Sequence, residues 1–324
     1  MKGSVRPVRF ARPMTRADER LAALATGQLG AFSRSQANDL GLSDRQLRSR
    51  VQSGFLTQTG PNSFRFAGVP PSLAGELRSV LLDVGDPVWV TGPTAAAIHG
   101  FDGFALRRPF HLVIPRDRAV RRWNAVIHRS LTIDPIDCEE VDGLGIVSPA
   151  RTIIELARIA DAAQLSAALD SAIRDGKLIE RTLHQRIVAL RSQGRFGLPL
   201  LAEVLAGHEV TRGGHSWLER EYLRLLERAN LPLPEMQQIL ARSGDRLVRV
   251  DCYFPGTNVV VELLGYRFHR SRSDMARDAA RANALLAKGL QPYQFTYGHI
   301  VADHRYVVTT TRDALRRAGL QQPG

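Results

Sequence analysis

The pattern of apolar and polar positions divides this 324-residue chain into three stretches of different character. Over 17–68 the pattern is helical and short-ranged. Leu21, Leu24 and Ala25 recur at helical spacing and predict an amphipathic helix. Ser33-Arg34-Ser35-Gln36 and Ser43-Asp44-Arg45-Gln46 each place Ser three residues ahead of Gln. In this capping box each side chain satisfies the other residue's free backbone N–H. Gly41, between the two, suits the left-handed residue that ends a helix. In the second helix Leu47 and Val51 face inward, while Arg45, Arg48 and Gln52 share another face with Arg50 beside them. Gly54 ends that helix, and 55–58 and 63–67 read as a hairpin around Gly60-Pro61-Asn62. This order predicts a winged helix-turn-helix, with long polar donors aimed at a DNA groove. Its candidate DNA contacts are Arg45, Gln46, Arg48, Arg50 and Arg65. A helical hairpin with a solvated arginine face is the plain alternative.

From 72 to 210 strand and helix patterns are mixed. A helix is expected over 73–84 and another over 93–99, with strands near 89–91, 110–114, 126–129 and 145–148. Ser148-Pro149 places Ser at the N-cap and Pro at the first helical position. Helices near 149–159, 163–174, 179–191 and 197–206 follow. No catalytic constellation stands out here, and His99 and His111 read as structural or surface residues. The glycines within 207–214 mark a linker.

The last stretch opens with a helix over 215–229 and the step Leu231-Pro232-Leu233-Pro234. Two apolar runs, 246–254 and 259–264, then flank Pro255-Gly256-Thr257-Asn258 and read as a hairpin. A helix over 272–288, a strand over 292–296 and a helix near 311–318 complete the pattern. With the turn at 255–258, Phe254 pairs with Val259, and counting back sets Asp251 directly opposite Glu262. Facing like charges destabilise a sheet, and isolated carboxylates are costly to bury. A divalent cation removes both problems. Asp251 and Glu262 are therefore the candidate metal ligands and catalytic acids, for Mg2+ or Mn2+. Oxygen donors suit Mg2+, which activates water toward phosphodiesters. Ordinary salt bridges to Arg249 and Arg267 are the plain alternative. The same two arginines, with Arg246, Arg270 and Arg272, are candidate phosphate contacts. Glu219 is a candidate third acid, although Ser216-Trp217-Leu218-Glu219 is itself a capping box. His269 is a candidate proton carrier or phosphate contact. Asp274, Arg277, Asp278 and Arg281 are spaced as an intrahelical charge network, one that could also back the site.

The net charge of +12 is unevenly spread. Residues 1–70 hold 11 Lys and Arg against 4 Asp and Glu, residues 214–324 hold 16 against 11, and residues 71–213 are balanced at 17 each. Two basic ends around a neutral middle suit a chain that holds a polyanion at two places. Arginine supplies 41 of the 44 basic residues, and its fork of donors matches phosphate and guanine. Two cysteines, Cys138 and Cys252, are too few for a disulfide framework. The basic N-terminus is followed by no apolar stretch, so no signal peptide is expected. No run reaches a membrane-spanning length, and the expectation is a cytoplasmic protein that does not enter membranes.

Over most of its length the chain resembles known families. Ser216-x-x-Glu219, Leu231-Pro232-x-Pro234, Arg249-Val250-Asp251, Val261-Glu262, Gly265, His269 and Arg277-Asp278-x-x-Arg281 resemble the Vsr-like branch of the PD-(D/E)XK nuclease superfamily. The first two hundred residues resemble AbiEi-type antitoxin proteins, which begin with a winged helix. The matches there are the capped helices, Ser53-Gly54, Ala95-Ala96-Ala97, His128-Arg129-Ser130 and Ser148-Pro149-Ala150-Arg151-Thr152. The resemblance implies metal-dependent DNA cleavage, with Asp251 and Glu262 holding the metal and Glu219 as an accessory acid. One departure stands out: the motif places Lys, or Asp in Vsr-like relatives, two residues after the Glu, and here that residue is Leu264.

The expected fold is α/β in the α+β multidomain sense: a winged helix over 1–70, a mixed α/β middle over 71–210 and a nuclease-like domain over 211–324. The expected function is a Mg2+-dependent DNA endonuclease in defence or repair. The alternative is a non-catalytic, antitoxin-like transcriptional regulator with a degenerate nuclease domain. A partner toxin and a homo-oligomer are left open.

Overall fold

A computed structural model describes residues 14–131, 133–190, 198–211, 216–243, 246–265 and 272–320. The chain is a mixed α+β structure in two compact units, Met1–Thr152 and Ile153–Gly324. The helices over 162–211, read above with the middle stretch, fall in the second unit.

The first unit begins with α1 (Arg16–Thr26), β1 (Ala31–Ser33), α2 (Arg34–Asp39), α3 (Asp44–Gln52), β2 (Leu56–Gly60) and β3 (Ser63–Phe66). Both expected capping boxes form: Ser33 N donates to Gln36 Oε1 and Ser43 N donates to Gln46 Oε1, each at 2.8 Å. Gly41 takes φ +89° between the two helices, a conformation glycine adopts without Cβ strain. The strands form one antiparallel sheet in the order β1-β3-β2. β1, not expected from the sequence, is only three residues long. Leu21, Phe32, Leu42, Leu47, Leu56 and Phe64 close the small core.

The rest of this unit is α4 (Leu73–Val84), β4 (Trp89–Val90), α5 (Gly92–His99), β5 (Phe110–Pro115), β6 (Ala125–Ser130), β7 (Cys138–Val141), β8 (Leu144–Val147) and the start of α6 (Pro149–Leu156). Its five strands lie in the order β6-β5-β4-β8-β7. His99 is buried and its Nε2 lies 2.9 Å from the Val147 carbonyl. His111 Nδ1 meets His128 Nε2 at 3.1 Å. His111 is half-buried, and each ring has a hydrogen-bond partner.

The second unit holds α7 (Ala162–Arg174), α8 (Glu180–Ala189), α9 (Leu198–Thr211), α10 (Trp217–Arg228), β9 (Glu235–Ser243), β10 (Arg246–Tyr253), β11 (Val259–Leu264), α11 (Arg272–Leu286), β12 (Gln291–Thr296), α12 (Tyr297–Ala302) and α13 (His304–Arg317). The sheet order is β12-β11-β10-β9, with β11 and β12 parallel and the other pairs antiparallel. Three expectations are corrected. The linker expected over 207–214 is helical as far as Thr211; Gly213 and Gly214 lie outside the described residues. The final helix begins at His304, seven residues before the expected start, because Asp303 accepts from Tyr306 N and caps an earlier turn. β9 adds a strand where none was expected. Among the described residues no helix is long and apolar enough to cross a membrane.

Candidate functional site

The turn at 255–258 sets the β10–β11 register as its length requires. Cys252 pairs with Val261 and Tyr253 with Val260, so one further step sets Asp251 opposite Glu262, on the same face of the sheet. Asp251 does not simply repel its neighbour: its Oδ2 accepts from Leu263 N at 2.8 Å. On the far side of β10, Gln237 of β9 bridges two acids. Its Nε2 donates to Glu219 Oε1 and lies 3.4 Å from Asp251 Oδ1. Gln237 has φ +55°, rare for a residue with a Cβ, and sits on the strand that is bulged against β10.

Glu219 is buried on α10, and its other oxygen closes the capping box by accepting from Ser216 N at 2.8 Å. The helix-start role read from the sequence is real, and the same carboxylate also reaches the site through Gln237. The three acids converge electrostatically on one point: burial pushes the Cys252 thiol up, and Asp251, Glu219 and Glu262 push it further.

Glu262 has a partner that sequence spacing did not single out. Arg281 of α11 donates through Nη2 to both carboxylate oxygens, at 2.8 and 2.6 Å, and to the Arg249 carbonyl. This replaces the salt bridge to Arg249 considered from the sequence. Arg249 has an exposed side chain, and Arg267 lies outside the described residues, as does His269. Arg281 thus backs the acids from α11, a role considered for its charge network. β11 and β12 are parallel and so need a crossover, which lays α11 across the sheet. Among the described residues Arg281 Nε, which is buried, has no hydrogen-bond partner. Burial raises the Glu262 pKa to about 7; Arg281 opposes that shift, and Asp251 and Asp278 add to it.

These groups line one cavity of about 190 Å³, whose wall includes Asp251, Glu262, Asp278, Arg281, Gln294 and Leu264. Gln294 stands beside Glu262 in the parallel β11–β12 register. Leu264 contributes only an apolar wall where the motif carries Lys or Asp. Among the described residues no group of three or more His, Cys, Asp or Glu is arranged to hold a metal ion. The sequence reading missed Gln237, Gln294 and the pairing of Arg281 with Glu262. Neutral amides carry no charge pattern to betray them, and the register of β11 on β12 is the only signal that finds Gln294.

In the first unit Arg45, Gln46 and Arg48 are exposed on α3, and Arg65 is half-buried on β3. Arg50 is not a surface group. It donates from Nε to Asp18 Oδ1 at 2.6 Å and from Nη2 to Asp18 Oδ2 at 3.0 Å, with both residues buried. Arg50 is therefore corrected from a DNA contact to an internal strut. Gln46 commits its Oε1 to the cap and is exposed.

No protein-family profile matches the chain. Two Mycobacterium tuberculosis sequences, uncharacterized protein MT2308 of strain CDC 1551 and uncharacterized protein Rv2248 of strain H37Rv, are each 26% identical over 237 residues. That match covers 73% of this chain and 84% of each relative. Among solved structures, the RV2827C protein from Mycobacterium tuberculosis is similar at TM-score 0.44 and 16% identity, over 60% of this chain and 78% of that one.

Proposed function

We propose that the chain binds DNA through its first unit and carries a Mg2+-dependent DNA endonuclease site in its second, which a PD-(D/E)XK-like fold would supply. The observation that carries this reading is the pairing of Asp251 with Glu262 on one face of adjacent strands, opening into one cavity with Asp278. The donor set fits a hard cation: it is all oxygen, and burial, helped by Asp251 and Asp278 beside it, raises the Glu262 pKa despite Arg281. Asp251 and Glu262 would hold the ion. Bound Mg2+ supplies Lewis acidity toward a phosphodiester and its attacking water. Gln237 orients Asp251, Glu219 fixes Gln237, and Arg281 supplies the cationic group nearest the carboxylates. In the first unit, α2, α3 and the β2–β3 hairpin follow in the order a winged helix requires, and exposed Arg45 and Arg48 on α3 support DNA contact.

A specific observation favours a second reading, a non-catalytic antitoxin-like regulator. Arg281 already occupies both Glu262 oxygens, and Leu264 stands where the motif carries a polar group. Cleavage of supercoiled and linear DNA by the full chain, with Mg2+, Mn2+ or EDTA, separates the two. The endonuclease reading expects metal-dependent cutting that Asp251→Ala abolishes while DNA binding persists. Cutting that survives Asp251→Ala would sink the site assignment, and salt-sensitive binding without any cutting would favour the regulator.

A further inference from the structure

The middle stretch of the chain is neutral only in sum. Of its 17 basic residues seven fall between 107 and 129, with one acid, Asp117, among them. Between 134 and 142 the balance is reversed, with five acids and no Lys or Arg. The sheet order β6-β5-β4-β8-β7 sets these segments at opposite edges. The β6 edge is basic and the β7 edge acidic, so the field of the sheet steers a polyanion to β6.

Three of the seven arginines are already engaged. Arg108 pairs with Glu76, Arg122 pairs with Asp83, and Arg118 donates to the carbonyls of Val84, Gly85 and Pro87. The other four, Arg107, Arg116, Arg121 and Arg129, are exposed and make no ion pair among the described residues. Two of these four line a groove of about 670 Å³ along β6. Arg121, Arg122 and Arg129 give its cationic lining, and Ala119, Val120, Ala125 and Ile127 its apolar lining. Val120, Ala125 and Ile127 also pack on the core beneath, which makes that apolar surface firm. Ala125, Ile127 and Arg129 share one face of the strand and span about 13 Å. A tight turn, with Ala125 N donating to the Arg122 carbonyl at 3.4 Å, holds Trp123 between two groove-lining residues. Trp123 is 87% exposed.

We infer that this groove holds a single strand of DNA, with Trp123 stacked on a base and Arg121 and Arg129 on phosphates. Single strands are held by aromatic side chains that stack on bases and by cations that track the backbone, and both stand here side by side. A duplex would leave Trp123 idle, because its base faces already cover one another. An acidic peptide would satisfy the arginines but offers the indole no flat ring. The choice of DNA over RNA rests on the DNA-binding reading above. The groove itself depends neither on α3 nor on a metal.

Fluorescence-anisotropy titration of the full chain with labelled oligo-dT, in EDTA and over a range of salt, tests it. Trp123→Ala is expected to weaken binding about tenfold, and Trp123→Phe to recover most of that loss. On the unaltered chain, an oligomer of equal length without bases is expected to bind about tenfold more weakly than oligo-dT. Arg121→Ala combined with Arg129→Ala is expected to lower the salt slope by about 1.4, or about 0.7 per phosphate. A mixed-sequence duplex is expected to bind Trp123→Ala and the unaltered chain equally, so a failure of α3 to bind duplex leaves this test standing. Absence of oligo-dT binding would overturn the proposal. So would an affinity that Trp123→Ala leaves unchanged, or a salt slope that the double arginine variant leaves unchanged. Tighter binding of oligo-rU would give the groove to RNA, and displacement of oligo-dT by a Glu-rich peptide of equal charge would give it to an acidic polypeptide. The three substituted positions are all exposed, so the variants are expected to keep the fold.

Discussion

Two arginine–carboxylate pairs, one in each unit, have nearly the same chemistry and opposite consequences. In the first unit Arg50 meets Asp18 with both oxygens engaged, and the two side chains are only 8% and 7% exposed. Thr15 adds donors from its backbone N–H and its hydroxyl. Burial alone would raise the Asp18 pKa, but Arg50 and Thr15 outweigh it and hold it at about 2. In the second unit Arg281 reaches Glu262 through a single nitrogen shared with a carbonyl, and its side chain is 40% exposed. Burial and two neighbouring carboxylates win there, and the Glu262 pKa rises to about 7. What sets the two apart is the company each pair keeps. Asp18 is surrounded by donors and Glu262 by other acids. The first arrangement is a closed structural joint, and the second is a site still short of positive charge.

The largest effect that can break this comparison is on stability. Arg50→Met leaves Asp18 buried without its cation, and is expected to cost about 3–5 kcal/mol. Arg281→Met removes a half-exposed partner from an acid that already holds its proton near neutrality. It is expected to cost under about 1 kcal/mol. Urea unfolding of both variants at pH 7 reads the difference, and equal losses would erase the distinction.

Acidity sharpens it next, because the two shifts have opposite signs. Asp18 contributes stability above its ordinary pKa of 3.8 and loses it as the pH falls toward 2. The Arg50→Met penalty should therefore shrink by about 2 kcal/mol between pH 4 and pH 2. Glu262 works the other way. Its contribution is complete below 4.5 and is lost as the pH rises through about 7. The Arg281→Met penalty should grow above pH 7. Unfolding midpoints across this range check both: an Arg50→Met penalty that does not shrink below pH 4, or an Arg281→Met penalty that does not grow above pH 7, would contradict the shifts.

Metal affinity separates the pairs at a smaller scale. If Asp251 and Glu262 hold a divalent cation, the Arg281 guanidinium competes with it for Glu262. Arg281→Met is then expected to tighten Mn2+ binding about tenfold, a change of ~1.4 kcal/mol, while Arg48→Ala leaves it unchanged. Calorimetric titration without DNA measures this. Unchanged affinity in Arg281→Met would show that the guanidinium does not compete for Glu262, and no Mn2+ binding in either protein would remove the metal reading itself.

The same pairs explain what the sequence made legible. Local devices were readable: the Ser33–Gln36 and Ser43–Gln46 boxes need only a three-residue spacing, and the 255–258 turn fixes the register that faces Asp251 with Glu262. Partners chosen by tertiary packing were not. Asp18 lies 32 residues from Arg50, and Arg281 lies 19 from Glu262. Sequence proximity favoured Arg249, whose side chain is exposed, but the crossover helix delivers Arg281. β9 escaped detection because Glu235–Ser243 has no clean alternation, and its polar residue Gln237 takes a left-handed backbone.

The smallest effect contrasts two arginines on a single helix. Arg48 and Arg50 are two positions apart on α3, and at 3.6 residues per turn that spacing points them to different faces. Arg50 turns inward to Asp18, and Arg48 stays exposed beside Arg45. If α3 reads DNA, Arg48→Ala leaves the fold intact and weakens binding by about 1–3 kcal/mol where the arginine meets a base. Where it meets a phosphate, binding weakens evenly across sequences and the salt slope falls by about one. Gel-shift titrations over a range of salt distinguish these two modes. Arg50→Met would lower DNA affinity only as far as it unfolds the unit. If Arg48→Ala and Arg45→Ala both leave the affinity and the salt slope untouched, α3 does not face DNA. The exposed arginines of this helix would then be a solvated surface, and the basic N-terminal stretch would need another explanation.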